Sequence, residues 1–222
     1  ASGITTASVS WEGCIEERAT VRQTSYSPIP SGALDLDIDS APSSGTAGSY
    51  WGPAFPRAVY QRGLTVESYW GFEYLDGSPS YSNVTTSGDY ARADELSYAC
   101  PTQARKLQSW ATATAFQNYV NGLSTGGNTY HDIGLVWGAR FMSPTGIFAS
   151  ENATTPQGGE IERHMIFMTD GETCTGRYNY QAYGMAWWDR RQTGTSSAPT
   201  DGCDDASSDG GTLSQQVNER FA

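Results

Sequence analysis

One short segment, Arg163–Met168 (RHMIFM), constrains the fold more than any other part of the chain. A compact, mostly apolar run of this length, without strict alternation, is what a strand covered on both faces requires. It ends in Thr169-Asp170-Gly171-Glu172, a polar turn at the strand's carboxyl end. Upstream the period is helical. Phe116, Tyr119, Val120 and Leu123 in TATAFQNYVNGLSTGG fall at i, i+3, i+4 and i+7, and Gly126–Gly127 close the pattern. A second helix is expected over Asp132–Met142, with Leu135, Val136, Ala139 and Met142 on one side. Near the end, Thr212 and Gln215 form a capping-box signal, and Leu213, Val217 and Phe221 recur at i, i+4 and i+8. Helices alternating with a buried strand predict an α/β chain. Because it stops on a helix, where a doubly wound sheet continues into another strand, the expected sheet is incomplete.

The first hundred residues read differently. Residues 5–23 are rich in Thr, Val and Ile and predict one or two strands. Residues 24–56 hold Pro28, Pro30, Pro42, Pro53 and Pro56 and read as loop. Within them Leu34, Leu36 and Ile38 alternate with Asp35, Asp37 and Asp39, as in a short half-exposed strand or extended surface segment. Aromatic and β-branched residues over 57–75 precede a turn at Asp76–Gly77, and residues 143–160 and 171–211 are long loops. We read 1–100 as an insertion-rich part with short strands and loops, and 101–222 as the α/β part, the two making one structural domain.

Charge narrows the function. The 222 residues carry 24 acidic and 13 basic side chains, a net charge of −11, and only Lys106 is a lysine. Nucleic-acid binding needs a positive surface, and anionic membranes attract lysine-rich patches, so neither is expected. No apolar run reaches the ~20 residues of a membrane helix. No leader-like n-region and h-region opens the chain, so any targeting segment is expected to have been removed or to lie outside this sequence. Cys14, Cys100, Cys174 and Cys203 have no C-x-x-C spacing, and His131 and His164 do not complete a zinc pattern. An even count in such a chain favours two disulfides formed in an oxidising compartment, against the alternative of four reduced buried thiols. Three connectivities are open; we favour Cys174–Cys203, closing the Gly/Ser/Asp-rich loop, with Cys14–Cys100.

Two segments carry chemistry. Thr129 stands on a Gly-rich loop (GGNTYHDIGL) before a helix, and Asp170 stands at the carboxyl end of the apolar run. In open α/β sheets ligands gather at the carboxyl ends of strands. A hydroxyl and a carboxylate are hard oxygen donors, suited to Mg²⁺ or Ca²⁺. Two plainer readings stand beside this one: Thr129 as the N-cap of the helix, and Asp170 as an ordinary turn residue.

These segments resemble the von Willebrand factor type A (VWA) domain. Its metal-ion-dependent adhesion site combines a D-x-S-x-S loop, a Thr in a G-G-T-N-type loop and an Asp in a T-D-G turn. More narrowly, WEGCIEER (Trp11–Arg18), TYHDIGLVWGARFMSPTGIF (Thr129–Phe148) and RHMIFMTDGETC (Arg163–Cys174), with DLDIDSAPS (Asp35–Ser43) and WGPAFPRAVYQR (Trp51–Arg62), are similar to TadG-like proteins of tight-adherence (Tad, or Flp) pilus systems. The resemblance implies a Rossmann-like, doubly wound sheet with a large loop- and β-rich insertion. It also implies Thr129 and Asp170 as ligands of Mg²⁺ or Ca²⁺. The chain contains no D-x-S-x-S, so the resemblance implies an internal portion of the domain, with a sheet incomplete at both ends and half of the metal site. The implied role is a non-enzymatic adhesion or assembly module in the bacterial cell envelope, periplasmic or extracellular. Its partners would be pilus or envelope proteins, with self-association or complementation by missing VWA strands. The alternative is a disulfide-stapled structural surface or filament subunit with no metal function.

Other candidates weigh less. His131 beside Asp132 is not a dyad, since adjacent helical residues do not face each other, and it reads as a surface or capping residue. No nucleophile elbow is present, so no enzyme is expected. His164 reads as a core residue, and Glu12, Glu16 and Glu17 lie too close in sequence for a glycosidase pair. Tyr178, Tyr180, Tyr183, Trp187 and Trp188 form either a partner-binding platform or a small satellite core. Asn83 and Asn152 head N-glycosylation sequons on expected loops.

Overall fold

The computed structural model describes residues 11, 13–23, 25–54, 65–69, 72–76, 100–126, 128–169, 171–175, 180–185, 191–192, 202–203 and 213–222. Four antiparallel strand pairs run through it. β1 (Ile15–Glu16) pairs with β2 (Gly52–Pro53), setting Ile15 opposite Pro53. β3 (Thr65–Tyr69) and β4 (Phe72–Asp76) form a hairpin in which Val66 faces Leu75 and Tyr69 faces Phe72. β5 (Cys174–Thr175) pairs with β8 (Gly202–Cys203), and between them in sequence β6 (Tyr180–Gln181) pairs with β7 (Gly184–Met185). Every sheet among the described residues is a two-stranded antiparallel pair.

The helices follow the apolar period, with changed ends and changed burial. α1 (Ala113–Asn121) starts at Thr112, whose side chain accepts the Ala115 N–H at 3.0 Å, and it stops at Gly122 rather than at Gly126–Gly127. Its apolar face is open: Phe116 and Leu123 are about half exposed, Trp110 leans on Phe116 and Tyr119, and the Arg105 guanidinium lies over the Tyr119 ring. α2 (His131–Met142) buries Asp132, Val136 and Arg140, one per turn, so the inward face is largely charged; of the expected stripe Val136 is buried, while Leu135, Ala139 and Met142 are half-buried. α3 (Ala149–Asn152) is a single turn inside the expected 143–160 loop. α4 (Leu213–Phe221) packs against α2 and β5. Residues 1–10 and 212, where a strand and a capping residue are expected, lie outside the described residues.

The centre is ionic. Glu17, Asp35, Asp132, Arg140 and Arg220 are all buried, and so is Tyr183. Arg140 grips Glu17 with both guanidinium ends, at 2.8 and 3.1 Å. Trp137 and Trp51 donate to the same carboxylate, and the Arg140 guanidinium stacks on both indoles. Arg220, on α4, donates from Nε to Asp132 Oδ2 at 2.9 Å and from Nη1 to Thr20 Oγ1 at 2.8 Å, and it also holds Asp35. Burying a charge is tolerable only when it is paired and hydrogen-bonded, and this network supplies both. It therefore locks the 15–40 segment, α2 and α4 into one register.

Two sequence expectations are corrected here. Asp35 does not lie on a half-exposed strand. It sits in a 3-10 turn (Leu34–Leu36), fully buried, because Arg220 and the Tyr183 hydroxyl (2.6 Å) compensate its charge. The run Arg163–Met168 is not a buried strand: no described strand flanks it, so it has no ladder to join, and Ile166 and Met168 are 83% and 85% exposed. His164, expected in the core, is exposed, its nearest charged neighbour being Glu162 at 3.9 Å.

Candidate functional site

The Gly-rich loop and the segment after the TDGE turn come together through the backbone. Thr129 N–H donates to Cys174 C=O at 2.6 Å, and Cys174 N–H returns a bond to Thr129 C=O at 3.1 Å. This isolated antiparallel bridge fixes Thr129 beside the start of β5. The helix it precedes begins at His131, with Tyr130 in the capping position and no side-chain cap bond, so Thr129 does not cap α2. Its hydroxyl has no hydrogen-bond partner among the described residues. Asp170, the second expected ligand, lies outside the described residues, between Thr169 and Gly171.

His131 is the hinge pin of this corner and not a surface residue. Its Nε2 lies 2.9 Å from Thr169 Oγ1 and its Nδ1 lies 3.1 Å from Thr173 Oγ1, and Thr173 in turn donates to Asn218 Oδ1 on α4. Phe167 and Phe221 flank the imidazole at 5.6 and 5.4 Å between ring centres. One side chain thus ties the turn at 169–173 to α2 and α4 together. Sequence reading missed Thr169, Thr173 and Asn218; the only signal was a pair of threonines bracketing D-G-E. Thr169 also accepts the Gly171 N–H at 3.3 Å, which tightens the turn.

The corner suits a hard cation in kind but not in number. Thr129 offers an uncommitted hydroxyl, and Glu172 is exposed beside the turn. Among the described residues, however, no group of three or more His, Cys, Asp or Glu side chains converges on one point. A six- to eight-coordinate Ca²⁺ or octahedral Mg²⁺ would need several further oxygens. A cleft of about 510 Å³ lies elsewhere, with Tyr26, Leu36, Ile38, Leu135, Val136 and Ala139 among its walls. Two of its polar members, Asp132 and Arg220, are already bound to each other.

The electrostatics set the charge state of the supporting centre. Burial raises the Asp132 carboxyl above its usual range, and the Arg220 guanidinium opposes that rise without cancelling it. At Arg220 the balance is reversed: burial pulls its pKa down, but Tyr183, Asp35 and Asp132 hold it well above the ordinary arginine value. Four acceptors, on Asp132, Thr20, Asp35 and Tyr183, surround the guanidinium, so Arg220 stays charged. Burial pushes the Tyr183 phenol well up, so it remains a neutral donor to Asp35.

The remaining sequence candidates fall as follows. Cys14 and Cys100 form a disulfide with Cα atoms 6.0 Å apart. Cys174 is disulfide-bonded, and the strand register sets it opposite Cys203. Tyr183 is 1% exposed inside the ionic centre and so is no partner-binding surface; the platform reading is corrected there, because its hydroxyl is needed by Asp35. Tyr180 lies on β6, whereas Tyr178, Trp187 and Trp188 lie outside the described residues. Asn152 is fully buried and donates to the Phe148 and Phe141 carbonyls, unlike the expected loop sequon. No protein-family model, curated protein or solved structure matches this sequence. Among the described residues, no helix is long and apolar enough to cross a membrane.

Proposed function

We propose that the chain is a non-enzymatic, VWA-type adhesion and assembly module of a TadG-like envelope protein associated with Tad pili. It would work in the bacterial periplasm or outside the cell on an α/β scaffold. The observation that carries this reading is the Thr129–Cys174 bridge, which draws the GGNT loop to the segment following TDGE. That is the juxtaposition a metal-ion-dependent adhesion site needs. In this reading Thr129 and Asp170 supply two hard oxygens to Mg²⁺ or Ca²⁺, and a partner protein's carboxylate completes the shell. The bound cation contributes the charge that attracts that carboxylate. His131 holds the 169–173 turn in place.

The test is thermal unfolding with and without Mg²⁺ or Ca²⁺. A cation at ten times its Kd stabilises by about 1.4 kcal/mol, roughly 3–6 °C in Tm for a chain of this size. The rise disappears in Thr129→Ala and in Asp170→Ala. No rise in the parent chain sinks the metal assignment.

A second reading is favoured by the Cys14–Cys100 bridge, which spans 86 positions. It makes the chain a disulfide-stapled structural subunit of a surface or filament, without metal. Assembly that ignores chelators but fails in reductant would select it.

A further inference from the structure

Residues 162–168 form an open edge. Among the described residues their backbone makes no hydrogen bond, and the segment runs without turn or bend. Its side chains alternate. Phe167 approaches Gly134 and Met165 approaches Gly138, so that a Cβ added at those glycines would stand 3.6 and 3.2 Å away. Ile166 and Met168 point the other way, into solvent. Alternation of period two is the signature of an extended strand. The glycines, one helical turn apart on α2, let that strand lie close against the helix. One apolar face is thereby partly covered, Met165 and Phe167 keeping 38% and 36% exposure, and among the described residues the other face and both hydrogen-bonding edges are left open. Soluble chains normally guard such an edge, because it templates pairing with another chain.

We propose that this segment is a docking strand, taking an extended apolar peptide with basic flanks from a partner protein by strand addition. The charges choose the occupant. Glu160 and Glu162 precede the run and Glu172 follows it, all exposed. Arg163 does not offset them, because its guanidinium turns inward to the Ile161 and Asn152 carbonyls. A second copy is disfavoured on the same ground. Antiparallel self-pairing centred on Ile166 or Phe167 sets Glu160 or Glu162 of one copy beside Glu172 of the other, and parallel in-register pairing sets each Glu against itself. Like charges opposite each other destabilise a strand pair, and each copy carries a net charge of −11. Lysines or arginines flanking an apolar strand meet these carboxylates instead. Backbone bonds would supply affinity, Ile166 and Met168 an apolar face, and the flanks the selectivity. The proposal extends the assembly role to a partner class and does not need the metal site.

The test uses the full chain in EDTA, so that loss of the metal reading leaves it untouched. A fluorescein-labelled peptide, KKVTVIVTKK, is titrated against its counterpart EEVTVIVTEE by anisotropy, with hydrogen exchange followed on the bound chain. The lysine-flanked peptide is expected to bind about tenfold tighter or better and to slow amide exchange at 162–168. Ile166→Pro removes a donor from the edge at an exposed position whose N–H bonds to no described residue, so it abolishes binding without shifting the melting curve. Gly138→Leu lifts the strand from α2 and gives an independent loss. Absence of binding, equal affinity for the two peptides, protection confined to other residues, or full binding by Ile166→Pro each overturns the proposal. So does sedimentation as a dimer with slowed exchange at 162–168 in the absence of peptide, which would make a second copy the occupant.

Discussion

Arg220→Met is the sharpest perturbation of this fold. Arg220 is the cation between Asp35 and Asp132, whose side chains are 0% and 1% exposed. Methionine fills much of the volume but leaves two carboxylates without their guanidinium, and Asp35 Oδ1 already has no partner. Removing one member of a buried ion pair costs about 3–5 kcal/mol, since the charge left behind stays desolvated. At roughly 2–4 °C per kcal/mol for a chain of this size, Tm falls by about 6–20 °C. Differential scanning calorimetry at neutral pH reads this directly. The reasoning makes a second, less obvious demand. The triple variant Arg220→Met with Asp35→Asn and Asp132→Asn carries no orphaned charge, so it should recover most of the loss. If Arg220→Met melts within about 2 °C of the parent, or the triple variant is no more stable than the single one, the network does not hold the molecule together electrostatically.

Four smaller predictions follow the same logic. The Cys14–Cys100 bridge closes a loop of 86 positions, so removing it with Cys14→Ser and Cys100→Ser should cost up to about 4.6 kcal/mol by loop entropy, measured by urea denaturation. Asn152→Ala breaks two hydrogen bonds from a buried amide to the Phe141 and Phe148 carbonyls and should cost about 1–3 kcal/mol; the folded protein offered to a glycosyltransferase should gain no mass at Asn152. Burial tends to raise the Asp37 carboxyl, but bonds from Ser40 and Asp39 and the charge of Arg18 hold it below its usual value. Its stabilisation is therefore present above about pH 4 and lost as pH falls further, and Asp37→Asn should flatten that acid limb in a series of melts. Asp132 is raised, so its sign is opposite: its contribution is lost as pH rises through the folded pKa, and the Tm of Asp132→Asn relative to the parent should climb with pH.

What the sequence made legible was local. The 3.6-residue period locates the three longer helices among the described residues to within a few residues, because it needs only a chain and an apolar stripe. Burial was less legible. Asp35 reads as half-exposed, and nothing in the sequence marks Asp132, Arg140 or Arg220 as buried, because composition cannot say which opposite charges will meet across 185 positions. Glu17, weighed against a glycosidase role, turned out to be the anchor of Arg140 for the same reason. The strand at Arg163–Met168 was read from its apolarity, which reports a need for cover and not its presence. His131 was misjudged because its partners, Thr169, Thr173 and Asn218, come from two distant segments.

The distribution of apolar side chains ties these observations together. The buried hydrophobic residues among those described are Tyr26, Ala33, Ala54, Val136, Tyr183 and Val217, and two of these are alanines. Phe116, Val120, Leu123, Ile166, Met168 and Phe221, each of which would contribute about 1.5–3 kcal/mol if buried, stand partly or largely in water. Among the described residues, charged pairs occupy the centre and large apolar side chains stand outside, so apolar burial within this part contributes little. The ionic network is a register device: it fixes where α2 and α4 sit without much net stability. If the proposed docking occurs, the outer face of 162–168 is the surface whose burial would stabilise the protein. Partner binding should therefore raise Tm as the peptide concentration passes its Kd. The same experiment that detects the docking strand measures this, as the Tm difference between free chain and lysine-flanked complex.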